Sequence, residues 1–337
     1  MSRVSRVRAG LAPALVSLLL AGCGGGPGGH GTLKVGLVFD VGGRGDKSFN
    51  DAAYRGLERA KKELGIEYEY IEPGEGADRE SALRKLASKG ADVIFGVGFM
   101  FTDDVNQVSR DFPNQKFACI DYALKPGEQL PPNMVALKFK EEEGSCLVGA
   151  IAGLLTKTRT VGFIGGMKIP LIKKFEAGYQ AGVRMVNPKA QVLVGYAGVT
   201  GEAFKNPGKG KELALSQFGQ GADIIFHASG STGLGLFEAA REKGKLAIGV
   251  DSDQYGEAPG VVLTSMVKRV DVAVLETIRS VLEKRFKPGV KEFGLASDGV
   301  GYVFDDRNHT LIPASVIERV EAIKKDIVAG KVKVPST

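Results

Sequence analysis

Apolar and polar residues follow one another along the chain in blocks that predict strands alternating with amphipathic helices. The run LKVGLVF predicts a buried strand, and the segment after it has helical periodicity that is expected to end at Gly65. The apolar face of that helix comprises Ala53, Leu57, Ala60 and Leu64. IEYEYI then predicts a strand, RESALRKLASKG a helix and ADVIFGVG a further strand. This alternation is typical of α/β layers around parallel sheets.

These blocks return later in the chain with a nearly constant offset. VGLV at Val35 returns as VGFI 126 positions later, and FNDAAYRG returns as FEAGYQAG with the same offset. KGADVIF returns as QGADIIF and ACID as IGVD, at offsets up to 131. Four echoes in the same order predict two similar Rossmann-like lobes. Ligands of such sheets bind beyond the carboxyl ends of the strands, so the candidate residues are those at strand ends.

The predicted lobes are each built from two stretches of chain. Roughly 300 residues after the leader favour two lobes over a single core. We assign 32–140 and 252–290 to the N-terminal lobe, and 141–251 and 291–337 to the C-terminal lobe. The charged stretch KFKEEEG, residues 138–144, is expected to carry the first crossing. Two such lobes joined by a hinge would close around a ligand.

Residues 1–22 have the pattern of a secretory signal peptide, with three arginines ahead of an apolar run too short to span a bilayer permanently. The run ends in Leu-Ala-Gly-Cys, which matches the bacterial lipobox and predicts lipidation of Cys23. An ordinary signal peptide with a chance cysteine is the alternative. The glycine-rich residues 23–31 predict a flexible tether. We expect a lipid-anchored protein on the extracytoplasmic side of the cell membrane, periplasmic or on the outer face.

Charge and chemistry exclude several classes of function. The net charge of +6 falls to +3 without the leader arginines. This small excess of positive charge, spread over the chain, does not indicate nucleic-acid binding. Cys119 and Cys146 lie in apolar sequence and predict buried thiols instead of a disulfide or a metal site. His227 follows an apolar run, where a capped or ligand-adjacent histidine fits better than a catalytic base. We expect no enzyme, no metal and no cofactor.

The loop DVGGRGDKSFN, residues 40–50, looks like a phosphate loop but departs from its pattern. Asp46 precedes Lys47 where a phosphate loop requires glycine, and Val41 takes the place of the first glycine. A carboxylate at the centre of the cradle would repel phosphate, so the loop predicts an uncharged ligand. The groups that it is expected to present are Asp40, Ser48, Phe49 and Asn50.

Acidic residues end corresponding predicted strands in both lobes. Asp40, Asp121 and Asp251 hold these places, and Lys268 follows a further strand. Each carboxylate could be a helix cap and the lysine a solvated side chain. Carboxylates at corresponding places are better explained by a ligand rich in donors, because a carboxylate accepts paired hydrogen bonds from hydroxyls or from ring N–H groups.

Phenylalanine is the expected stacking residue, since the chain has no tryptophan. Phe49 lies in the opening loop, and Phe204 lies in the polar loop TGEAFKNPGKG. Phe49 could instead pack as a helix-start residue. Two phenyl rings with carboxylates suit a flat heterocycle joined to a polyol, as in a nucleoside, although a plain sugar would also stack.

The motifs together resemble the basic membrane protein family, substrate-binding lipoproteins of ABC transporters that include purine nucleoside receptors. The stretches that carry the resemblance are VGLVFDVGGRGDKSFNDAAYRGLERA, FACID, NPGKGKELA, GADIIFHASGSTGLGLFEAA and LTSMVKRVDVAV. It covers about residues 33–333. It implies a type I periplasmic-binding-protein fold with a hinge, a purine nucleoside ligand, delivery to an ABC permease, and a monomer.

The resemblance also implies a role for nine residues of this chain. Those expected at the base edge are Asp40 and Asp121, assisted by Ser48 and Asn50. Those expected to stack on the base are Phe49 and Phe204. Those expected near the ribose are Gly230, Asp251 and Lys268.

Three other functions remain open at this point. The same fold could bind a sugar or a signalling molecule. An extracellular nucleoside hydrolase lacks any visible acid–base or metal cluster. A surface antigen without a transport role would also suit the tether. The signal peptide and the missing helix-turn-helix exclude a cytoplasmic repressor.

Overall fold

Two predominantly parallel β-sheets organise the described part of the chain, which is residues 32–72 and 79–337 of a computed structural model. The predicted signal peptide, the lipidation site Cys23 and the tether lie outside the described residues. No described helix is both long and apolar enough to cross a bilayer.

The first sheet is built from short strands in which every neighbouring pair is parallel. In spatial order its strands are β11 (Gly289–Phe293), β5 (Met134–Phe139), β4 (Lys116–Ile120), β3 (Val93–Val97), β1 (Lys34–Val38) and β2 (Glu67–Ile71). The neighbouring interior strands β4, β3 and β1 are almost entirely buried, as expected for apolar runs covered by helices on both faces.

The second sheet repeats this order in the later part of the chain. In spatial order its strands are β12 (Val300–Tyr302), β10 (Val262–Lys268), β9 (Leu246–Asp251), β8 (Ile224–Ala228), β6 (Thr160–Met167) and β7 (Gln191–Gly198). All neighbours are parallel except β10 and β12. The five strands β10 to β7 correspond one by one to β5 to β2, which confirms the predicted pair of α/β lobes.

Helices cover both sheets. Those associated with the first sheet are α1 (Phe49–Leu64), α2 (Arg79–Ser88), α3 (Thr102–Asp111) and α8 (Val270–Leu282). Those associated with the second are α4 (Glu141–Leu155), α5 (Pro170–Val186), α6 (Pro207–Gly219), α7 (Gly233–Lys243) and α9 (Ala314–Val328). Helix α1 ends at Gly65 in the left-handed conformation, as the sequence predicts.

The chain passes between the sheets after β5, after β10 and after β11. The first passage falls in the stretch 138–144, since α4 packs against α5. The second does not fall where the predicted lobe boundary places it. Strand β10 belongs to the range 252–290 that we assigned to the N-terminal lobe, yet it pairs with β9 and β12. The crossing comes at Arg269, because β10 fills the place in the second sheet that β5 fills in the first.

Candidate functional site

A cleft lies at the carboxyl ends of the strands, with residues of both lobes on its walls. It contains every predicted ligand-binding residue except Ser48. The predicted residues that line it are Asp40, Phe49, Asn50, Asp121, Phe204, Gly230, Asp251 and Lys268. The repeat of the sequence therefore brings together side chains that are far apart along the chain.

Asp46 organises the opening loop and the start of α1. Its carboxylate, almost fully buried, accepts backbone hydrogen bonds from Ser48 (2.9 Å), Asn50 (2.8 Å) and Asp51 (3.1 Å), and a side-chain bond from Asn50 Nδ2 (3.1 Å). These N–H groups belong to the first turn of α1 or precede it, where a helix has no partners of its own for them. The aspartate that breaks the phosphate-loop pattern thus caps the helix.

Asp40 is held at the cleft by its neighbours in the loop. The side-chain oxygen of Asn50 accepts a hydrogen bond from the Asp40 backbone N–H (3.0 Å), and Val41 N–H donates to Asp40 Oδ1 (2.8 Å). The other carboxylate oxygen lies against Gly98, where a Cβ atom would stand 2.1 Å from it. Burial raises the pKa of Asp40 to about 7. Asn50 therefore serves to orient Asp40.

Asp121 directly follows β4, with a backbone φ of +62° and a buried side chain. Lys268 Nζ donates to its Oδ2 atom at 2.6 Å. Its Oδ1 atom is buried and has no hydrogen-bond partner among the described residues. Burial raises the pKa of Asp121, against the opposing attraction of Lys268. An unpartnered carboxylate oxygen on a cleft wall is suited to accept a hydrogen bond from a ligand.

Asp251 occupies the corresponding place at the end of β9, with φ of +63°. Ser48 Oγ donates to Asp251 Oδ2 at 2.6 Å, and Ser252 Oγ donates back to the Ser48 carbonyl at 2.7 Å. Gln254 Nε2 donates to the carbonyl of Lys47 at 3.1 Å. Burial raises the pKa of Asp251 to about 6. The Ser48 hydroxyl is fully buried and committed to Asp251, which differs from its expected place beside Asp40.

Four phenylalanines line the cleft, and two of them were predicted. Phe49 comes from the start of α1 and Phe204 from the second lobe, where its ring packs against Gly166 at a distance that leaves no room for a Cβ atom. Phe99 stands edge-on to Phe204, with ring centroids 6.3 Å apart. Phe175 holds the place of Phe49 in the sequence repeat, so the repeat could have identified it. Neither the repeat nor any other sequence pattern described above identifies Phe99.

Gly230 anchors the loop that carries Phe204. Its φ is +56°, and a Cβ atom there would lie 2.7 Å from the Phe204 carbonyl oxygen. Ser231 Oγ donates to the same carbonyl at 3.2 Å, and Thr232 Oγ1 donates to the Ala203 carbonyl at 2.8 Å. The glycine is thus required by a close backbone approach as well as by its place on the cleft wall.

His227, Cys119 and Cys146 are buried inside the fold. His227 is fully buried, with Nδ1 3.2 Å from Ser229 Oγ and Nε2 3.1 Å from Gln254 Oε1, and burial lowers its pKa to about 4. Cys119 and Cys146 are buried free thiols, as predicted. Within residues 32–72 and 79–337, no group of three His, Cys, Asp or Glu side chains is arranged to hold a metal ion.

Comparison with known proteins adds the family. Residues 33–337 match the model of the Bmp family, described as ABC transporter substrate-binding protein PnrA-like. An uncharacterized lipoprotein of Pyrococcus abyssi is 39% identical over 315 residues, covering 87% of this chain and 76% of its own. The ABC transporter nucleoside-binding protein BmpA of Lactococcus lactis is 31% identical over 326 residues, covering 90% and 89%.

Solved structures agree with these relatives. The crystal structure of an ABC transporter solute-binding protein from Aeropyrum pernix is 30% identical, with a TM-score of 0.82, and the match covers 90% of this chain and 94% of that one. The two-lobed fold is thus that of periplasmic binding proteins. The predicted resemblance is confirmed, and the chain belongs to the Bmp family of PnrA-like ABC transporter substrate-binding proteins.

Proposed function

We propose that the protein captures a purine nucleoside in the cleft and delivers it to an ABC permease. The observation that carries this proposal is the convergence of Phe49 and Phe204, from opposite lobes, with the carboxylates of Asp40, Asp121 and Asp251. Aromatic rings and acceptor oxygens are complementary to a flat base joined to a sugar with free hydroxyls. The role is binding, in keeping with the family.

The base is proposed to stack between Phe49 and Phe204, which is worth roughly 1–3 kcal/mol per base in nucleic-acid systems. Stacking does not distinguish one base from another, so the choice falls to the acceptors. Asp121 Oδ1 is buried without a partner among the described residues and would accept from a base N–H group. Asp40, oriented by Asn50, would accept from a second donor on the same edge.

The ribose is proposed to lie beside Asp251, Gly230 and Lys268. A carboxylate accepts hydrogen bonds from two neighbouring hydroxyls, which matches the 2′ and 3′ positions. The Lys268 ammonium is already paired with Asp121 at 2.6 Å and with Glu141 at 3.0 Å. With its charge balanced in this way, the cleft favours an uncharged nucleoside over a nucleotide.

The relatives support the same ligand class and a surface location. The Lactococcus lactis relative is named a nucleoside-binding protein, and the Pyrococcus abyssi relative is named a lipoprotein. We propose that Cys23 carries a lipid anchor, that the protein acts as a monomer outside the cytoplasm, and that the closed lobes present the ligand to the permease.

Isothermal titration of residues 32–337 tests the ligand. The protein is refolded from denaturant to remove any bound small molecule, then titrated with adenosine, guanosine, inosine, cytidine and ribose. We expect tight one-to-one binding of purine nucleosides and no heat from ribose. Binding of ribose without dependence on a base would point to a sugar receptor instead. Silence toward every nucleoside would remove this proposal.

A further inference from the structure

Glu141 is a buried carboxylate that neither the sequence motifs nor the cleft wall identifies. It is the first residue of α4, directly after the chain leaves β5, and it is 0% exposed. Its Oε2 atom lies 2.6 Å from Lys174 Nζ. Its Oε1 atom lies 3.0 Å from Lys268 Nζ as an ion pair without hydrogen-bond geometry. Glu141 therefore acts on the cleft through Lys268.

The ammonium of Lys268 lies in an apolar setting that makes its carboxylate partners important. Its Nζ atom is 4.9 Å from the ring centroid of Phe139, 5.1 Å from that of Phe49 and 5.7 Å from that of Phe175. Asp121 accepts its hydrogen bond on one side and Glu141 attracts it on the other. Electrostatic attraction to Asp121 and to Glu141, on opposite sides, keeps the Lys268 ammonium between the two carboxylates.

We propose that Glu141 is a positioning residue for ligand binding, which holds the Lys268 ammonium so that Asp121 keeps one oxygen for the ligand. Without the charge of Glu141, the ammonium would be drawn to both oxygens of Asp121. The Oδ1 atom, which has no partner among the described residues, would then be occupied. The inference rests on the proposed function, since it concerns the same cleft.

The charges of this cluster support a fixed arrangement. Asp121, Glu141 and Glu142 face Lys268 and Lys174, so three carboxylates surround two ammonium groups. Lys268 and Lys174 lower the pKa of Glu141 below its usual value even though burial opposes them, which keeps it charged. Removing one charge from such a buried set leaves another without its partner.

The neighbouring glutamates provide a comparison within one helical turn. Glu142 lies 3.4 Å from Lys174 Nζ, and Glu143 accepts a hydrogen bond from Leu295 N–H at 2.8 Å. Glu142 thus pairs α4 with α5, and Glu143 pairs α4 with the segment that follows β11. Of the three, only Glu141 contacts Lys268 in the described structure.

Glu141→Gln, with Glu142→Gln as the matched control, tests the proposal in residues 32–337. Guanosine, inosine and adenosine are titrated into each protein. Removing a group that orients a binding residue costs about 10–100-fold in affinity at metal sites. We expect a loss of at least about tenfold for Glu141→Gln and less than about twofold for Glu142→Gln. In a Lys268→Met background, Glu141→Gln should have no further effect, because it acts through Lys268.

A crystal structure of ligand-free Glu141→Gln gives a readout that does not depend on nucleoside binding. We expect Lys268 Nζ to move away from position 141 and to contact both oxygens of Asp121. An unmoved Lys268, or wild-type affinity in the variant, would overturn the inference. If the wild-type protein binds none of the nucleosides, the proposed ligand is wrong, and the position of Lys268 in this crystal structure alone decides the role of Glu141.

Discussion

The two lobes place an aspartate at the same point with the same backbone but surround it differently. Asp121 directly follows β4 and Asp251 ends β9, with φ values of +62° and +63°, a region that few residues other than glycine adopt. Asp121 accepts from the Lys268 ammonium, whereas Asp251 accepts from the neutral Ser48 hydroxyl. The repeated fold therefore provides two equivalent positions, and the partners make them chemically different.

A second pair of positions differs more sharply. Asp40 follows β1, and the residue 126 positions later in the repeat is Gly166. The first lobe presents a carboxylate at this place, while the second leaves room for the Phe204 ring, which would collide with any Cβ atom at Gly166. One lobe thus offers an acceptor where the other offers a stacking surface, and the proposed base would use both, through its edge and its face.

The largest expected loss of stability comes from removing the Lys268 ammonium, which pairs with Asp121. Lys268→Met leaves Asp121 and Glu141 buried without that partner, so the free energy of unfolding should fall by about 3–5 kcal/mol in urea titrations at pH 7. Lys125→Met is the control, because Lys125 pairs with Asp103 at the exposed surface and should cost less than about 1 kcal/mol. Equal losses in the two variants would contradict the buried network.

Removing the hydroxyl that pairs with Asp251 should destabilise the protein less than Lys268→Met does. Ser48→Ala removes a buried hydrogen bond to a charged acceptor, and the free energy of unfolding should fall by about 1.5–3 kcal/mol. The control is Ser280→Ala, which removes only a bond from Ser280 Oγ to the Thr277 carbonyl within α8. If both variants unfold at the urea concentration of the wild type, the contact between Ser48 and Asp251 contributes nothing in solution.

Per pH unit and per carboxyl group, the smallest effect is the dependence of stability on pH. Burial raises the pKa of Asp40 to about 7 and that of Asp251 to about 6, against an ordinary value of 3.8. Between about pH 4 and pH 7 the folded protein holds protons that the unfolded chain has released, so the free energy of unfolding falls as the pH rises. The slope is at most about 1.4 kcal/mol per pH unit for each group.

Asp40→Asn sharpens this comparison, since it should make the fall of stability with pH shallower. Urea titrations at several pH values between 4 and 8 measure the slope. Asp103→Asn, which removes an exposed carboxylate, is the matched control and is titrated at the same pH values. A slope unchanged by Asp40→Asn would mean that the Asp40 carboxyl is solvated in solution.

Local patterns were sufficient to predict the two lobes and part of the wall of the cleft. The repeat placed Asp121 and Asp251 at equivalent strand ends, and both line the site. The lobe boundary at residue 252 was wrong for β10, because an apolar run reveals a buried strand but not which sheet it joins. The partner of Ser48 was also beyond prediction, since it lies 203 positions away on the other lobe.

The contact between Glu141 and Lys268 could not be predicted from the sequence either. The run of three glutamates predicted a crossing between lobes, and α4 does begin there. Glu141, Glu142 and Glu143 are identical residues in one helical turn, and they differ only in the direction in which each side chain leaves the helix. Contact with Lys268 depends on how α4 packs beside the end of β10, which no local pattern encodes.

A crystal structure of the protein with guanosine tests the central claim most directly. The account predicts the purine ring between Phe49 and Phe204, a base N–H group donating to Asp121 Oδ1, and ribose hydroxyls donating to Asp251. A nucleoside bound outside the cleft, or within it with the ribose at Asp121 and the base away from both phenyl rings, would contradict it.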